Sequence, residues 1–139
     1  MIKFGASFSF NINDSMVNAA NDAGLEAVGM TGVAEIKKNI TAMRIVDTGR
    51  ERASVTWKTN KSSGEVSDGK VQDQDIITAP IEDATVLIGT ACEYAETNEW
   101  GYKNRPARPA FRYSFETMQA LLVKAFWSAW TSTIWGSQK

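Results

Sequence analysis

The stretch Val46-Asp47-Thr48-Gly49-Arg50-Glu51-Arg52-Ala53-Ser54 decides how the rest of the chain is read. Asp-Thr-Gly is turn chemistry: Asp47 can accept hydrogen bonds from nearby backbone amides, and Gly49 permits a backbone angle that other residues resist. The stretch therefore separates two kinds of pattern. Upstream, Met16, Ala20, Ala23, Ala27, Met30 and Ala34 recur at alternating steps of four and three, the stripe of a helix, with Asn13-Asp14-Ser15 offering N-cap oxygens. Gly24, Gly29 and Gly32 interrupt the stripe. Each costs about 1 kcal/mol relative to alanine inside a helix, so a break near Gly29 or Gly32 is expected, followed by another turn or two through Ile36 and Ile40 with Lys37 and Lys38 toward solvent. Downstream, Ala53, Val55 and Trp57 alternate with Ser54, Thr56 and Lys58, the period of a half-buried strand.

A second strand follows from Ala84, Val86 and Ile88. Between the two strands, residues 60–83 are polar and hold two lysines, Lys61 and Lys70, against six carboxylates. A structureless loop of that length is uncommon in a compact domain, so the insert reads as a protruding hairpin with Val71–Thr78 as its returning strand, or as a loop ordered by a partner. From Ala110 the helical period returns. Phe111, Phe115, Met118, Leu122, Ala125 and Ala129 form one face, and Pro109 suits the first turn. Trp127 and Trp135 fall off that face, leaving more apolar surface than one small domain covers, and Gly136 to Lys139 read as a helix stop. The expected fold is α+β in a single domain, residues 1–139. A long N-terminal helix and a C-terminal helix pack on a small antiparallel β-sheet that carries an extended hairpin.

Composition narrows the chemistry. The 139 residues are 43% apolar and 22% charged, an ordinary globular mix, with a net charge of -1 that provides no global attraction for nucleic acid or an anionic membrane. With no histidine and the single Cys92, Ser-His-Asp and Cys-His catalysis, histidine-ligated metals and an intramolecular disulfide are excluded. Cys92 reads as a small buried filler. The N-terminus lacks the apolar run of a signal peptide, and no stretch approaches the 18 apolar residues of a membrane helix, so synthesis in a reducing cytoplasm with no membrane partner is expected.

Four segments invite a functional reading. Asp47-Thr48-Gly49 matches the aspartic protease triplet, but a second copy is absent, and Arg50 and Arg52 favour an ionised carboxylate over a shared proton. Glu93, Glu96 and Glu99 place three carboxylates in seven residues beside Tyr94 and Trp100, without the spacing of a metal-binding loop. Arg105, Arg108 and Arg112 flank two prolines that hold the chain extended, a strip able to meet phosphates or carboxylates. Glu35-Ile36-Lys37 has the Glu-x-Lys form of a metal-dependent nuclease site, yet it falls in a helical pattern. No catalytic residue, metal ligand or cofactor site is assigned.

Taken in order, these segments resemble a family of small neck or tail-completion proteins of long-tailed bacteriophages, often labelled tail components. The resemblance rests on Val46 to Ser54, Ile88-Gly89-Thr90, Glu93-Tyr94-Ala95, Glu99-Trp100-Gly101 and Ala107 to Arg112, and spans most of residues 33–125. Glu51 stands where an apolar residue is usual, Asn98 and Trp100 vary the Glu-Gly step, and the insert at 60–83 is longer than the pattern expects. The resemblance implies a structural virion protein at the head-tail junction, with copies in a sixfold ring between the head connector or head-closure protein and the tail tube or terminator. Phage DNA would pass through the lumen without sequence-specific contact. A tail-terminator or head-closure role at the same junction is the alternative within this class, and a DNA-binding module or metal-dependent nuclease lies outside it. On this reading Asp47, Thr48 and Gly49 form a structural turn, while Arg50, Arg52, Tyr94, Glu99, Trp100, Arg105, Arg108 and Arg112 are interface candidates, with the three later arginines meeting acidic groups of a neighbouring copy or ring.

Overall fold

The computed structural model describes residues 4–9, 18–45, 49–66 and 68–136. Strand β1 spans Phe4–Ser9, helix α1 Asn18–Ala42, helix α2 Arg50–Ser54, strand β2 Thr56–Lys58 and strand β3 Thr85–Thr90. Helices α3 (Glu93–Trp100), α4 (Ala110–Thr117) and α5 (Gln119–Gly136) complete the chain. The sheet is antiparallel in the order β1-β3-β2, with Ala6 and Trp57 both opposite Ile88 in the central strand. The α+β class, the long first helix, the small antiparallel sheet and the packed last helix are as the sequence implies.

Helix α1 runs unbroken through the three glycines, contrary to the expected break. Their role is close approach. A Cβ on Gly29 would lie 2.5 Å from Cγ of Trp57, one on Gly32 2.5 Å from Cδ1 of Ile88, and one on Gly24 2.5 Å from the ring of Phe126. The missing side chains let α1 settle onto both the sheet and α5, and that packing outweighs the weak helical propensity. Leu25, Val28, Ile36 and Ile40 of α1 meet Val86 and Ile88 of β3 and Phe111, Leu122 and Phe126 of the last helices in a single core. Phe8 of β1 reaches Phe115, with ring centroids 6.4 Å apart.

Three local expectations are corrected. Ala53 and Ser54 lie in α2, so the strand begins at Thr56. The alternation misled because a short helix followed by a strand buries Ser54, Val55 and Trp57 in succession. Val71–Thr78 contains no strand. It holds a 3-10 turn at Asp73–Asp75, closed by reciprocal side-chain bonds between Gln72 and Asp75, and then Ile77 is buried. Beyond β2 the pairing of the insert is a single bridge among the described residues, Lys58 to Ser63. The helix from Ala110 divides at Met118. Ser114 Oγ donates to the carbonyl of Ala110 (2.6 Å) and Thr117 Oγ1 to that of Tyr113 (2.9 Å), back-bonding that bends helices. Asn13 to Met16, Val46 to Thr48 and Ser137 to Lys139 lie outside the described residues, so Asp47 and Thr48 are not placed. No helix is long and apolar enough to cross a membrane among the described residues.

Candidate interface around helix α3

Helix α3 is the hub that the quoted motifs share, and an arginine is fixed near each end of it. Gly49 sits in the left-handed region at φ 74 and starts α2. Arg50, the next residue, forks onto the buried Asp75, Nε donating to Oδ2 at 2.6 Å and Nη2 to Oδ1 at 2.7 Å. The Gln72 amide also donates to this carboxylate (2.9 Å). These donors hold the Asp75 carboxyl below the usual carboxylate range, the Arg50 bond first, and the same bond raises the guanidinium of Arg50. The Arg50 guanidinium stands 5.3 Å from the Tyr94 ring centroid, with Nη1 3.8 Å from Glu93. The carbonyl of Asp75 accepts from the Ala91 amide at 2.8 Å, which ties the insert to the end of β3.

At the other end of α3, Glu99 is 1% exposed. Its carboxylate accepts from the Phe111 and Arg112 amides, both at 3.0 Å, and from Arg112 Nε at 2.9 Å, while its carbonyl accepts Arg112 Nη2 at 2.7 Å. The N-cap of α4, Pro109, has no side-chain oxygen to offer its first amides. Glu99 performs that task from another helix, with a full negative charge at the positive end of α4. Gly101 makes the reversal possible: at φ 81, a Cβ there would lie 2.9 Å from the Arg105 carbonyl oxygen and 3.0 Å from the Ala107 nitrogen. Arg112 then lies 4.0 Å above the Trp100 ring.

A third link joins the two motifs. Asn98 donates to the buried Glu51 at 2.7 Å, and the Asn98 carbonyl accepts the Arg108 amide at 2.6 Å. Arg108 Nη1 reaches the carbonyl of Arg44, just past the C-terminus of α1, at 3.0 Å. No buried side-chain nitrogen or oxygen lacks a hydrogen-bond partner among the described residues.

The predicted site residues thus divide. Arg50, Glu99 and Arg112 make strong bonds within the chain, and Glu99 lies inside it. Tyr94 and Trp100 present large exposed rings, and Arg52, Arg105 and Arg108 are exposed. The carboxylates of Glu93, Glu96 and Glu99 do not converge, since the first and second face solvent while the third caps α4, and no group of three potential ligands is set to hold a metal among the described residues. Cys92 is fully buried and its thiol is pushed up by desolvation. Glu35 lies on α1 and pairs with Lys38 at 3.5 Å, away from any strand-borne nuclease arrangement. Sequence reading missed Asp75, Glu51 and Asn98. The signal available was the buried setting that follows if Arg50 and Glu51 open a helix whose other face is Ser54 and Val55.

A second exposed region lies on α5. Leu121, Val123, Trp127 and Trp135 face water, Trp135 at 62% exposure, while Phe126 and Trp130 turn inward and Trp130 Nε1 donates to Asn21 of α1 at 3.0 Å. Trp127 stands edge-on to Phe126 and Trp130, at centroid distances of 5.0 and 5.5 Å, which fixes its ring in the exposed position. No protein-family model, no curated protein and no solved structure matches the chain.

Proposed function

We propose that this chain is a structural component of the bacteriophage head-tail junction, a neck or tail-completion protein. Its copies join in a ring, sixfold by the resemblance, between the connector and the tail, and DNA passes through the lumen. A tail-terminator or head-closure position in the same junction is the runner-up. The side chains serve assembly, with no catalytic group, metal or cofactor assigned to them, and the site of action is the virion.

The observation that carries this reading is the pairing of a stiff scaffold with two unlike exposed surfaces. Around α3 and α4, Tyr94, Trp100, Tyr102 and Tyr113 are exposed; along α5, Leu121, Val123, Trp127 and Trp135 are. A ring is built from heterologous contacts, in which each copy offers two different patches to its neighbours. Exposed aromatic side chains are favoured anchors for such contacts, because they bury large areas at little entropic cost. The ordered motifs add to this: Gly49, Arg50, Glu99, Gly101 and Arg112 form bonds and turns that fix the two ends of α3, giving an interface a rigid base.

The test is electron microscopy of the purified chain, joined to labelling of assembled phage particles with an antibody against it. Rings with a central lumen, and label at the neck, are expected. A strictly monomeric protein at high concentration, with no label on particles, would overturn the proposal.

A further inference from the structure

The sheet has two unlike outer edges, and both carry unpaired backbone groups. At one edge, residues 62–65 return along β2. The Gly64 amide donates to the Trp57 carbonyl (2.9 Å) and the Thr59 amide to the Ser62 carbonyl (2.8 Å), on either side of the Lys58–Ser63 bridge. Backbone groups alternate in direction along a strand, so Ser62 and Gly64 face β2, while the N–H and C=O of Ser63 and Glu65 turn outward. Carried across the sheet, the same alternation aims Lys58 at Leu87 in β3, and Val86 and Ile88 at Phe8 and Ala6 in β1. Gly5 and Ser7 are left pointing outward at the opposite edge. Gly5, Ser7, Ser63 and Glu65 are all exposed, and none makes a hydrogen bond beyond the sheet ladder among the described residues.

Edge strands are ordinarily blunted by charged side chains or proline. The six residues of β1, Phe-Gly-Ala-Ser-Phe-Ser, include neither. Beside the other edge, a groove of about 480 Å³ runs between α1 and β2, with Met30, Val33, Val55 and Trp57 among its walls, and Met30 is 58% exposed. An open backbone edge next to an apolar groove is the setting for strand addition, in which main-chain bonds hold the incoming segment and alternate side chains reach the groove.

We infer that β1 of one copy adds to the edge at residues 62–65 of the next, so that a single antiparallel sheet continues from copy to copy. The inference rests on the ring proposed above and names its contact. Strand direction selects this pairing. Across the sheet, β1, β3, β2 and residues 62–65 alternate in direction. Rotation about an axis along the strands preserves direction, so the neighbour's β1 arrives antiparallel to residues 62–65. The contact is heterologous and leaves no free edge once the ring closes. Pairing β1 with β1 across a twofold axis would instead leave residues 62–65 and the groove uncovered. Ala6 and Phe8, half-buried in their own copy, lie at the mouth of the neighbour's groove in this arrangement.

The experiment removes one outward N–H at a time and follows assembly by native mass spectrometry and sedimentation. Ser7→Pro and Ser63→Pro each delete an amide that the chain's own ladder does not use, the placement at which an edge strand tolerates proline. Each should raise the concentration needed for assembly by at least about tenfold, with circular dichroism confirming the fold. Ser7→Thr keeps the amide and should assemble like the wild type. Should a proline variant unfold, hydrogen exchange on the wild-type chain reads the same contact: the Ser7 and Ser63 amides should be protected in the oligomer and open in the dissociated chain. Folded proline variants that both assemble at the wild-type concentration, or an oligomer whose Ser7 and Ser63 amides exchange freely, would overturn this contact while leaving the ring intact. A loss confined to Ser7→Pro would overturn the head-to-tail arrangement in favour of β1 pairing with itself. A wild-type chain that never associates would overturn the ring as well.

Discussion

The junction around α3 and the outer face of α5 obey opposite rules. At the junction every charged group that leaves water has found partners: Asp75 receives Arg50 and a backbone amide, and Glu99 receives two amides and Arg112. On α5, four large apolar side chains remain in water although the core beneath them is complete. The difference separates two uses of sequence. The polar motifs that look most functional secure the fold, whereas Leu121, Val123, Trp127 and Trp135 of α5 stay exposed beside a core that does not need them.

The largest loss of stability is expected at Glu99. Glu99→Ala leaves the Phe111 and Arg112 amides of α4 without an acceptor, and a loss of about 1–3 kcal/mol is expected for each buried donor left unsatisfied. Urea unfolding measures it, and Glu99→Gln should fall between the two because an amide oxygen still accepts. Arg50→Ala should also destabilise, by removing both guanidinium bonds to the buried Asp75, which then keeps only the Gln72 amide; Arg50→Lys recovers only part, since an ammonium cannot supply the two parallel bonds. Gly29→Ala places a methyl against Trp57, and overpacking of about 1–3 kcal/mol should outweigh the gain in helical propensity. Gly69→Ala, where a Cβ would meet nothing within 4 Å, is the matched control and should stay within about 0.5 kcal/mol.

Acid sharpens the same contrast. The folded Asp75 carboxyl is depressed below its unfolded value of about 3.9, so its contribution to stability is complete above that value and disappears as pH falls through the folded pKa. Unfolding midpoints taken from pH 6 downward should drop below about pH 4, and Asp75→Asn should remove that part of the slope. The smallest effect on the fold belongs to α5. Trp135→Ser, at the most exposed of these rings, should change monomer stability by no more than about 0.5 kcal/mol while weakening self-association, which chemical denaturation and sedimentation read separately.

Much of this architecture was legible in the chain. The periodic patterns found α1, β3 and the last helices, but the stripe read for α1 is not its core face: Met30 and Ala34 are exposed, and Gly24, Leu25, Val28, Gly29, Gly32 and Ile36 turn inward instead, where the glycines allow close approach. Local propensity failed where distant partners decide: Gly29 and Gly32 read as breakers until Trp57 and Ile88 are known to press against them. Val71–Thr78 read as a strand, but the Asp75 carboxylate turns that segment inward by bonding Arg50 and Gln72. Glu99 read as an interface candidate, and its burial depends on amides 12 and 13 positions later in the chain. Trp127 and Trp135 were legible as surplus apolar residues because they lie off the stripe, and they are exposed in the structure.

The most direct measurement is native mass spectrometry of the purified full chain across a concentration series at physiological salt. The account predicts one discrete, closed oligomer, of six copies as the resemblance implies. A monomer at every concentration, or an open-ended ladder of sizes, would contradict it.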